Sequence, residues 1–201
     1  MKLFTRSGDY EAFLRLLRDA HVKYPDVRIL GYCIMPNHWH LVLWPTRDGE
    51  LSRMMFWFTM THALRWRFAR KLVGLGPLYQ GRFKSFPIEE DEHLFTVLRY
   101  AERNPLRAKL VERAEQWQWS SLNLRLNDAA AAGELLSLWP IEMPRDWLKW
   151  VNEPQTEKEV QEMRRHIRTG IPYGNQGWQK QTARRLGIEL NPKPRGRPRR
   201  K

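Results

Sequence analysis

Two histidines separated by one residue, His38 and His40, are the side chains in this sequence with the clearest potential for chemistry. In a β-strand, residues i and i+2 point to the same face, with Cα atoms roughly 6.5 Å apart. Two imidazoles placed in this way could bind one divalent cation. The alternative is that one histidine is a hydrogen-bonded polar residue on a half-exposed strand and the other has no role, which is the commoner case for an isolated His-x-His pair.

A tyrosine and an asparagine four residues apart, Tyr100 and Asn104, form a second candidate pair. On a helix, residues at this spacing share one face, and Arg107 extends that face by a further turn. A phenol with an ordinary pKa of about 10 is a poor nucleophile at neutral pH. A cation held by two histidines could polarise a phosphodiester and ease attack by the tyrosine oxygen. Tyr100 could equally be a residue at the rim of the core.

Several basic residues could hold nucleic acid. Arg82 and Lys84 share one face of a predicted strand and, with Arg107, could bind phosphates beside the histidines, although a solvated charged face is an equal alternative. Arg195 and Arg197 belong to a Pro- and Gly-containing tail over 191–201 that carries a charge of +6. Arg195-Gly196-Arg197-Pro198 resembles the core of an AT-hook, which enters the minor groove, but a nonspecific phosphate-binding arm is the commoner explanation.

The composition predicts a polyanionic partner. The 201 residues include 35 Lys and Arg against 22 Asp and Glu, which gives a formal charge of +13.

A single cysteine excludes a disulfide framework and fits the reducing cytoplasm, where we expect the protein to act. No apolar run approaches the roughly 20 residues needed to cross a membrane, so no membrane partner is expected. A hydrophobic content of 42% argues against disorder along the whole chain.

Hydrophobic periodicity and turn residues predict the elements that would position these side chains. Helices are predicted over 9–24, 52–71 and from about 89 to beyond 101, and strands over 28–35, 39–44 and 78–88. The stripe of the second helix is Met54, Trp57, Thr61, Leu64 and Phe68. This order, one strand short of β-α-β-β-α-β, predicts an α+β fold with a ferredoxin-like antiparallel sheet and helices on one face.

The chain is predicted to have three parts. Residues 1–125 form the α+β domain, residues 126–155 a connector, and residues 156–201 a helical extension with a basic disordered tail. In the extension, Thr156 with Glu159 matches a capping box, Gly170 ends that helix, and a second helix is predicted over 178–186.

Four motifs in register resemble the single-tyrosine HUH transposases. The segment Met35-Pro36-Asn37-His38-Trp39-His40 resembles their Met-Pro-Asn-His-x-His strand, and Gly81-Arg82-Phe83-Lys84-Ser85 resembles their Gly-Arg-aromatic-Lys-Ser strand. Arg99-Tyr100 through Asn104-Pro105-Leu106-Arg107-Ala108 is similar to the helix that carries their tyrosine, and Trp119-Ser120-Ser121 to the segment that follows it. The basic C-terminal extension resembles the REP-associated tyrosine transposase branch of this family.

The resemblance implies a role for each matching residue. His38, His40 and Asn104 would bind the metal, Mg²⁺ or Mn²⁺, and Tyr100 would attack a DNA phosphodiester to give a 5′-phosphotyrosine link and a free 3′-hydroxyl. The implied partner is single-stranded DNA with a hairpin. A monomer is expected from the extended branch, and a dimer stays open.

The sequence departs from the family pattern at its start. Only residues 1–7 precede the first helix, where the family has a strand that pairs beside the His-x-His strand. Without that strand, we expect an exposed hairpin edge and a weakened floor beneath the metal, and hence poor folding or no nicking.

Two rival functions are also open: a hairpin DNA-binding protein without catalysis, and an RNA-hairpin regulator.

Overall fold

The computed structural model describes residues 2–72, 74, 76–79 and 81–191. The described chain forms two compact units, the first from residues up to 82 with residues 98–154, and the second from residues 83–97 with residues from 155 onward. Its elements, in chain order, are α1 (Ser7–Lys23), β1 (Val27–Met35), β2 (His38–Pro45), α2 (Glu50–Ala69), α3 (Glu92–Glu102), α4 (Asn104–Arg107), a 3₁₀ turn (Ala114–Gln116), α5 (Ser121–Asn127), α6 (Ala129–Leu135), α7 (Trp147–Asn152), α8 (Glu157–Thr169) and α9 (Gln176–Leu186). The predicted α+β fold is confirmed.

The first unit contains an antiparallel hairpin formed by β1 and β2. The two strands pair from Val27 opposite Pro45 to Met35 opposite His38, with a register shift between Ile29 and Gly31. The turn at Pro36-Asn37 is where the sequence predicts it, since both residues favour turns. All of β1 except Arg28 is buried, so this strand is covered on both faces.

Helices pack on both faces of the hairpin, whereas the sequence predicted them on one. On one face, the centroid of the Trp39 ring lies 5.9 Å from that of Phe13 in α1 and 6.0 Å from that of Phe58 in α2. On the other face, Gly31 lies against α3, and a Cβ atom at Gly31 would stand only 2.7 Å from Leu98 Cδ2. His38 and His40 lie on this second face, because neighbouring residues of a strand point to opposite sides.

The outer edge of β1, on the side away from β2, is closed by hydrogen bonds. The Ile34 N–H donates to the Trp119 carbonyl (2.9 Å), and the Ser121 hydroxyl accepts from the Tyr32 N–H (2.9 Å). Four further hydrogen bonds to carbonyls of β1 come from the Trp117 and Trp139 indoles, the Arg125 guanidinium and the Ser137 N–H. Residues 117–139 thus satisfy the backbone groups that a neighbouring strand would have paired.

The strand predicted over 78–88 is wrong. None of the described residues of this segment lies in a strand, and Ile88 forms only an isolated bridge with Tyr173. The start of the segment is held at α2, because Leu78 is buried and the Tyr79 hydroxyl lies 2.5 Å from His62 Nδ1.

The buried face of α2 also differs from the predicted stripe. The buried residues are Met54, Met55, Phe58 and His62, while Leu64 and Phe68 are exposed. This helix carries apolar residues around most of its circumference, so spacing alone could not identify the face that packs on the hairpin. In α1 and α3, by contrast, the apolar face is the buried face, with Phe13, Leu17 and Leu98 fully buried.

Residues 126–155, predicted as a connector, form α6 and α7 and belong to the first unit. In the second unit, the capping box at the start of α8 is confirmed, since the Glu159 N–H donates to Thr156 Oγ1 (3.2 Å) and the Thr156 N–H to Glu159 Oε2 (2.6 Å). Gly170 ends α8 with φ of 75°, a conformation that favours glycine. The second predicted helix is present as α9.

The free energy of unfolding is expected to fall as the pH is lowered from 6.5 towards 4, in part because of His62. Burial between aromatic rings, and then the nearby Arg70, lower the pKa of this histidine to about 4. Between that value and the unfolded value near 6.5, the unfolded chain binds a proton that the folded chain does not, so stability decreases with decreasing pH. Urea unfolding of His62→Gln should show a dependence shallower than wild type by about 1 kcal/mol per pH unit in this window. Equal slopes for the two proteins would contradict this assignment.

Candidate metal and tyrosine site

The two histidines meet on one face of β2. His40 pairs with Cys33 and His38 with Met35 across the hairpin, and the centroids of the two imidazole rings lie 4.9 Å apart. The pKa of His40 is lowered to about 3, chiefly because the ring is buried and secondly because of electrostatic interactions with His38 and Arg107. Burial and Arg107 also lower the pKa of His38. Both rings are therefore neutral at pH 7 and can each offer a nitrogen lone pair.

Asn104 reaches both histidines from the first residue of α4. Helix α3 ends at Glu102, and a short turn at Arg103 leads into α4, with Pro105 in its first turn. The buried Asn104 amide nitrogen lies 2.6 Å from His40 Nε2 and 3.3 Å from His38 Nε2. The structure thus brings together the three predicted metal ligands, although Asn104 lies 64 and 66 residues after His40 and His38 in the sequence.

The chemistry of these donors fits a divalent cation. As placed, the amide N–H groups donate to the two ring nitrogens, and a half-turn of the amide would point its oxygen there instead. Two imidazole nitrogens and one amide oxygen repel one another unless a cation lies between them. Imidazole favours transition metals and amide oxygen suits harder ions, so this mixed set suits Mn²⁺ better than Mg²⁺.

Asn37 orients one of the rings from the hairpin turn. Its side-chain oxygen lies 2.7 Å from His38 Nδ1, so the Nδ1–H donates to it and Nε2 keeps the free lone pair. We expect Asn37→Leu to weaken Mn²⁺ binding by about 10-fold or more, because the ring loses the acceptor that fixes its tautomer. Asn37→Asp keeps an acceptor and should bind close to wild type. Electron paramagnetic resonance of free Mn²⁺ measures both affinities, and wild-type binding by Asn37→Leu would contradict this role.

Tyr100, on α3, lies beside the two histidines of β2. Its ring centroid is 5.8 Å from that of His40, and the side chain is buried, with 6% exposed. The Arg107 guanidinium carbon lies 4.0 Å from the centre of the Tyr100 ring, a cation–π contact. Tyr100 and Asn104 therefore both lie beside His40, and Arg107 contacts the Tyr100 ring, although the turn at Arg103 divides the predicted single helix into α3 and α4.

Four other residues were predicted to bind DNA. Arg82 and Lys84 are exposed and lie outside any strand, so their predicted shared face lapses with the strand itself. Arg195 and Arg197 lie outside the described residues. Among the basic residues singled out from the sequence and described by the structure, Arg107 is the one that contacts the tyrosine.

A second group of possible metal ligands, which the sequence analysis did not identify, consists of Glu89, Asp91 and His93 in the second unit. Their ligand atoms all lie within 4.8 Å of one another. Each carboxylate also has a structural contact: Asp91 Oδ1 accepts from the His93 N–H (2.9 Å), and Glu89 accepts from the N–H (2.7 Å) and side chain (2.6 Å) of Asn175. The signal for this group in the sequence is the spacing of two residues between Glu89, Asp91 and His93.

Arg99, adjacent to the tyrosine, has a structural role. It is buried, and its guanidinium donates to the carbonyls of Trp150 (2.8 Å) and Glu153 (2.9 Å) at the end of α7. A cation at a helix C-terminus is favourable because of the helix dipole. Arg99 therefore anchors α3, and with it Tyr100, to α7.

Comparison with known proteins agrees with this geometry. The family model described as IS200-like transposase matches residues 2–104. No curated protein and no solved structure matches the chain. Within the part of the chain that the structure describes, no helix is long and apolar enough to span a membrane. Because the family match covers half of the chain and includes the His-x-His strand and the tyrosine helix, this chain belongs to the IS200-like transposase family, enzymes that cleave and transfer DNA.

Proposed function

We propose that this protein is a metal-dependent transposase that cleaves and rejoins single-stranded DNA at REP-type hairpins, with Tyr100 as nucleophile. The observation that carries the proposal is the convergence of His38 Nε2, His40 Nε2 and the Asn104 amide beside the Tyr100 ring. A divalent cation bound by these three residues, Mn²⁺ in preference to Mg²⁺, would polarise the scissile phosphodiester.

In the proposed reaction, the Tyr100 hydroxyl gives up its proton to solvent as its oxygen forms a bond to phosphorus. The bond from phosphorus to the 3′-oxygen of the preceding nucleotide breaks, and that oxygen takes up a proton to become a 3′-hydroxyl. The number of phosphoester bonds does not change, so neither water nor a nucleotide cofactor is consumed. Attack by a 3′-hydroxyl on the phosphotyrosine reverses the step and rejoins DNA. Arg107 stacks on the Tyr100 ring and so keeps a positive charge where the phosphate must enter. Catalysis would lie within residues 1–125, while the basic extension over 156–201 adds DNA affinity.

The test uses a single-stranded oligonucleotide that carries an inverted repeat from the DNA flanking the gene, with Mn²⁺ and the full chain. A label on the 3′ end should migrate with the protein on a denaturing gel, whereas a label on the 5′ end should appear in a shorter free strand. An adduct on the 5′-labelled side would contradict the polarity. Binding without any adduct would favour the rival DNA-binding function. Tighter binding of the RNA version than of the DNA version at the same salt concentration would favour the RNA-hairpin regulator.

A further inference from the structure

The chain turns at Arg103, directly before Asn104, the third of the proposed metal ligands. Helix α3 ends at Glu102, and α4 begins at Asn104. Pro105 has no N–H group to donate to a carbonyl one turn earlier, so the hydrogen-bond ladder of α3 cannot continue through this point. The direction in which Asn104 leaves the turn is therefore not fixed by α3 alone and depends on contacts made by the turn itself.

The Arg103 side chain makes such contacts with the C-terminal end of α7. Its Nη1 atom donates to the carbonyls of Val151 (3.0 Å) and Asn152 (2.7 Å). Arg99, one turn earlier on α3, donates to two neighbouring carbonyls at the same helix end. The last carbonyls of a helix have no partner within the helix, and the negative end of the helix dipole favours cations, so the end of α7 suits both guanidinium groups.

The end of α7 is itself held firmly within the first unit. Val151 is fully buried. The Asn152 side chain is bonded at both of its polar atoms, since Oδ1 accepts from the Ala114 N–H (2.9 Å) and Nδ2 donates to Glu115 Oε2 (2.8 Å). The end of α7 is therefore a fixed support, and the hydrogen bonds of Arg103 fix the turn relative to it.

We propose that Arg103 is a positioning residue for the metal site. By holding the turn on α7, it keeps the Asn104 amide within reach of His38 Nε2 and His40 Nε2. A ligand that is held in place before the metal arrives loses less conformational freedom on binding, so the affinity for the metal is higher. The inference rests on the proposed function for its metal site, but it concerns metal binding and does not depend on which residue attacks DNA.

The first experiment measures the affinity of the full chain for Mn²⁺ by electron paramagnetic resonance of the free ion, at a temperature where every variant is folded. Arg103→Met keeps the apolar stem but removes both hydrogen bonds, and should bind Mn²⁺ about 10- to 100-fold more weakly. Arg103→Lys should recover part of this loss, because one ammonium group can donate to two carbonyls, as Arg103 Nη1 does.

The matched control is Arg70→Met, which breaks a partly buried ion pair with Asp9 (2.6 Å) in the same unit. This variant should lose stability but bind Mn²⁺ as wild type does. Wild-type affinity in Arg103→Met, or an equal loss of affinity in Arg70→Met, would overturn the proposal. An Arg103→Lys variant that binds no better than Arg103→Met would overturn the role of the two hydrogen bonds.

The second experiment is a double-mutant cycle that tests whether the effect passes through α7. Asn152→Ala releases the end of α7 from Ala114 and Glu115, and should also weaken Mn²⁺ binding. Because this change and Arg103→Met loosen the same support, the double variant should lose less affinity than the product of the two single factors. Losses that multiply in full would overturn the route through α7.

The third experiment links the inference to the proposed reaction. Adduct formation by Arg103→Met should be slow at low Mn²⁺ concentration and approach the wild-type rate at saturating Mn²⁺, because the attacking tyrosine is unchanged. A rate that stays low at saturation would overturn a role confined to metal binding. A wild type that binds Mn²⁺ but forms no adduct would contradict the proposed function alone, and the Mn²⁺ affinities of the variants would still decide the role of Arg103.

Discussion

Replacing Tyr100 with phenylalanine is expected to abolish the covalent protein–DNA adduct and to lower cleavage by more than about 10³-fold. The change removes the attacking oxygen but keeps the ring, which maintains its packing against His40 (5.8 Å) and its contact with Arg107 (4.0 Å). Fold and DNA affinity should therefore stay close to wild type. The measurement is adduct formation with 3′-labelled single-stranded DNA and Mn²⁺, alongside a gel shift under non-denaturing conditions.

The control for this prediction is Tyr24→Phe, which removes a hydroxyl from a tyrosine of the same unit that packs on Trp57 of α2. This variant should form adduct at the wild-type rate. An adduct that persists in Tyr100→Phe would show that another residue is the nucleophile. Loss of both adduct and DNA binding in Tyr100→Phe would show that the hydroxyl is needed for binding, which the proposed mechanism does not predict.

Replacing Glu102 with alanine is expected to destabilise the protein by about 3–5 kcal/mol. Glu102 is fully buried, and its carboxylate accepts from the Arg125 guanidinium (2.5 Å), the Ser121 hydroxyl (2.6 Å) and the Trp147 indole (2.9 Å). Removing the carboxylate takes away the counter-charge of a partly buried cation and one acceptor from each of two buried donors. Urea denaturation of the variant at pH 7 measures the loss.

A control variant and a double variant show whether the loss of stability comes from the buried carboxylate. Glu112→Ala removes an exposed carboxylate of the same unit and should change the free energy of unfolding by no more than about 0.5 kcal/mol. Glu102→Leu with Arg125→Leu removes both charges and should recover part of the loss, since a buried ion pair often contributes little net stability against an apolar pair. A loss below about 1 kcal/mol in Glu102→Ala would show that water or another donor compensates for the missing carboxylate.

Local sequence patterns predicted most of the helices and the hairpin. In α1 and α3, one face is apolar and the other polar, so the periodicity identifies the buried residues such as Phe13 and Leu98. The helix α2 is apolar nearly all round, and its buried face is therefore decided by the hairpin it packs on. The strand predicted over 78–88 is absent from the described residues, and the start of this segment packs at α2 instead, where the Tyr79 hydroxyl lies 2.5 Å from His62 Nδ1.

The candidate site shows the same division. A spacing of two on a strand and of four on a helix determined that His38 with His40, and Tyr100 with Asn104, would each share a face. The burial that keeps His40 neutral depends on how β2 and α4 pack, and no local pattern contains that information. The role of Asn37 as acceptor for His38 is likewise visible only in the folded turn.

The sequence by itself determined the helical faces, the hairpin turn, the positive charge and the four family motifs, because each depends on residues close together in the chain or on composition alone. Only the tertiary structure decided that Asn104 meets both histidines, that Glu102 joins Arg125 beneath β1, and that α2 presents Phe56 and Phe68 to solvent. These contacts join residues far apart in sequence, or depend on which of several apolar faces is buried. They are set by packing between elements, which local propensity does not encode.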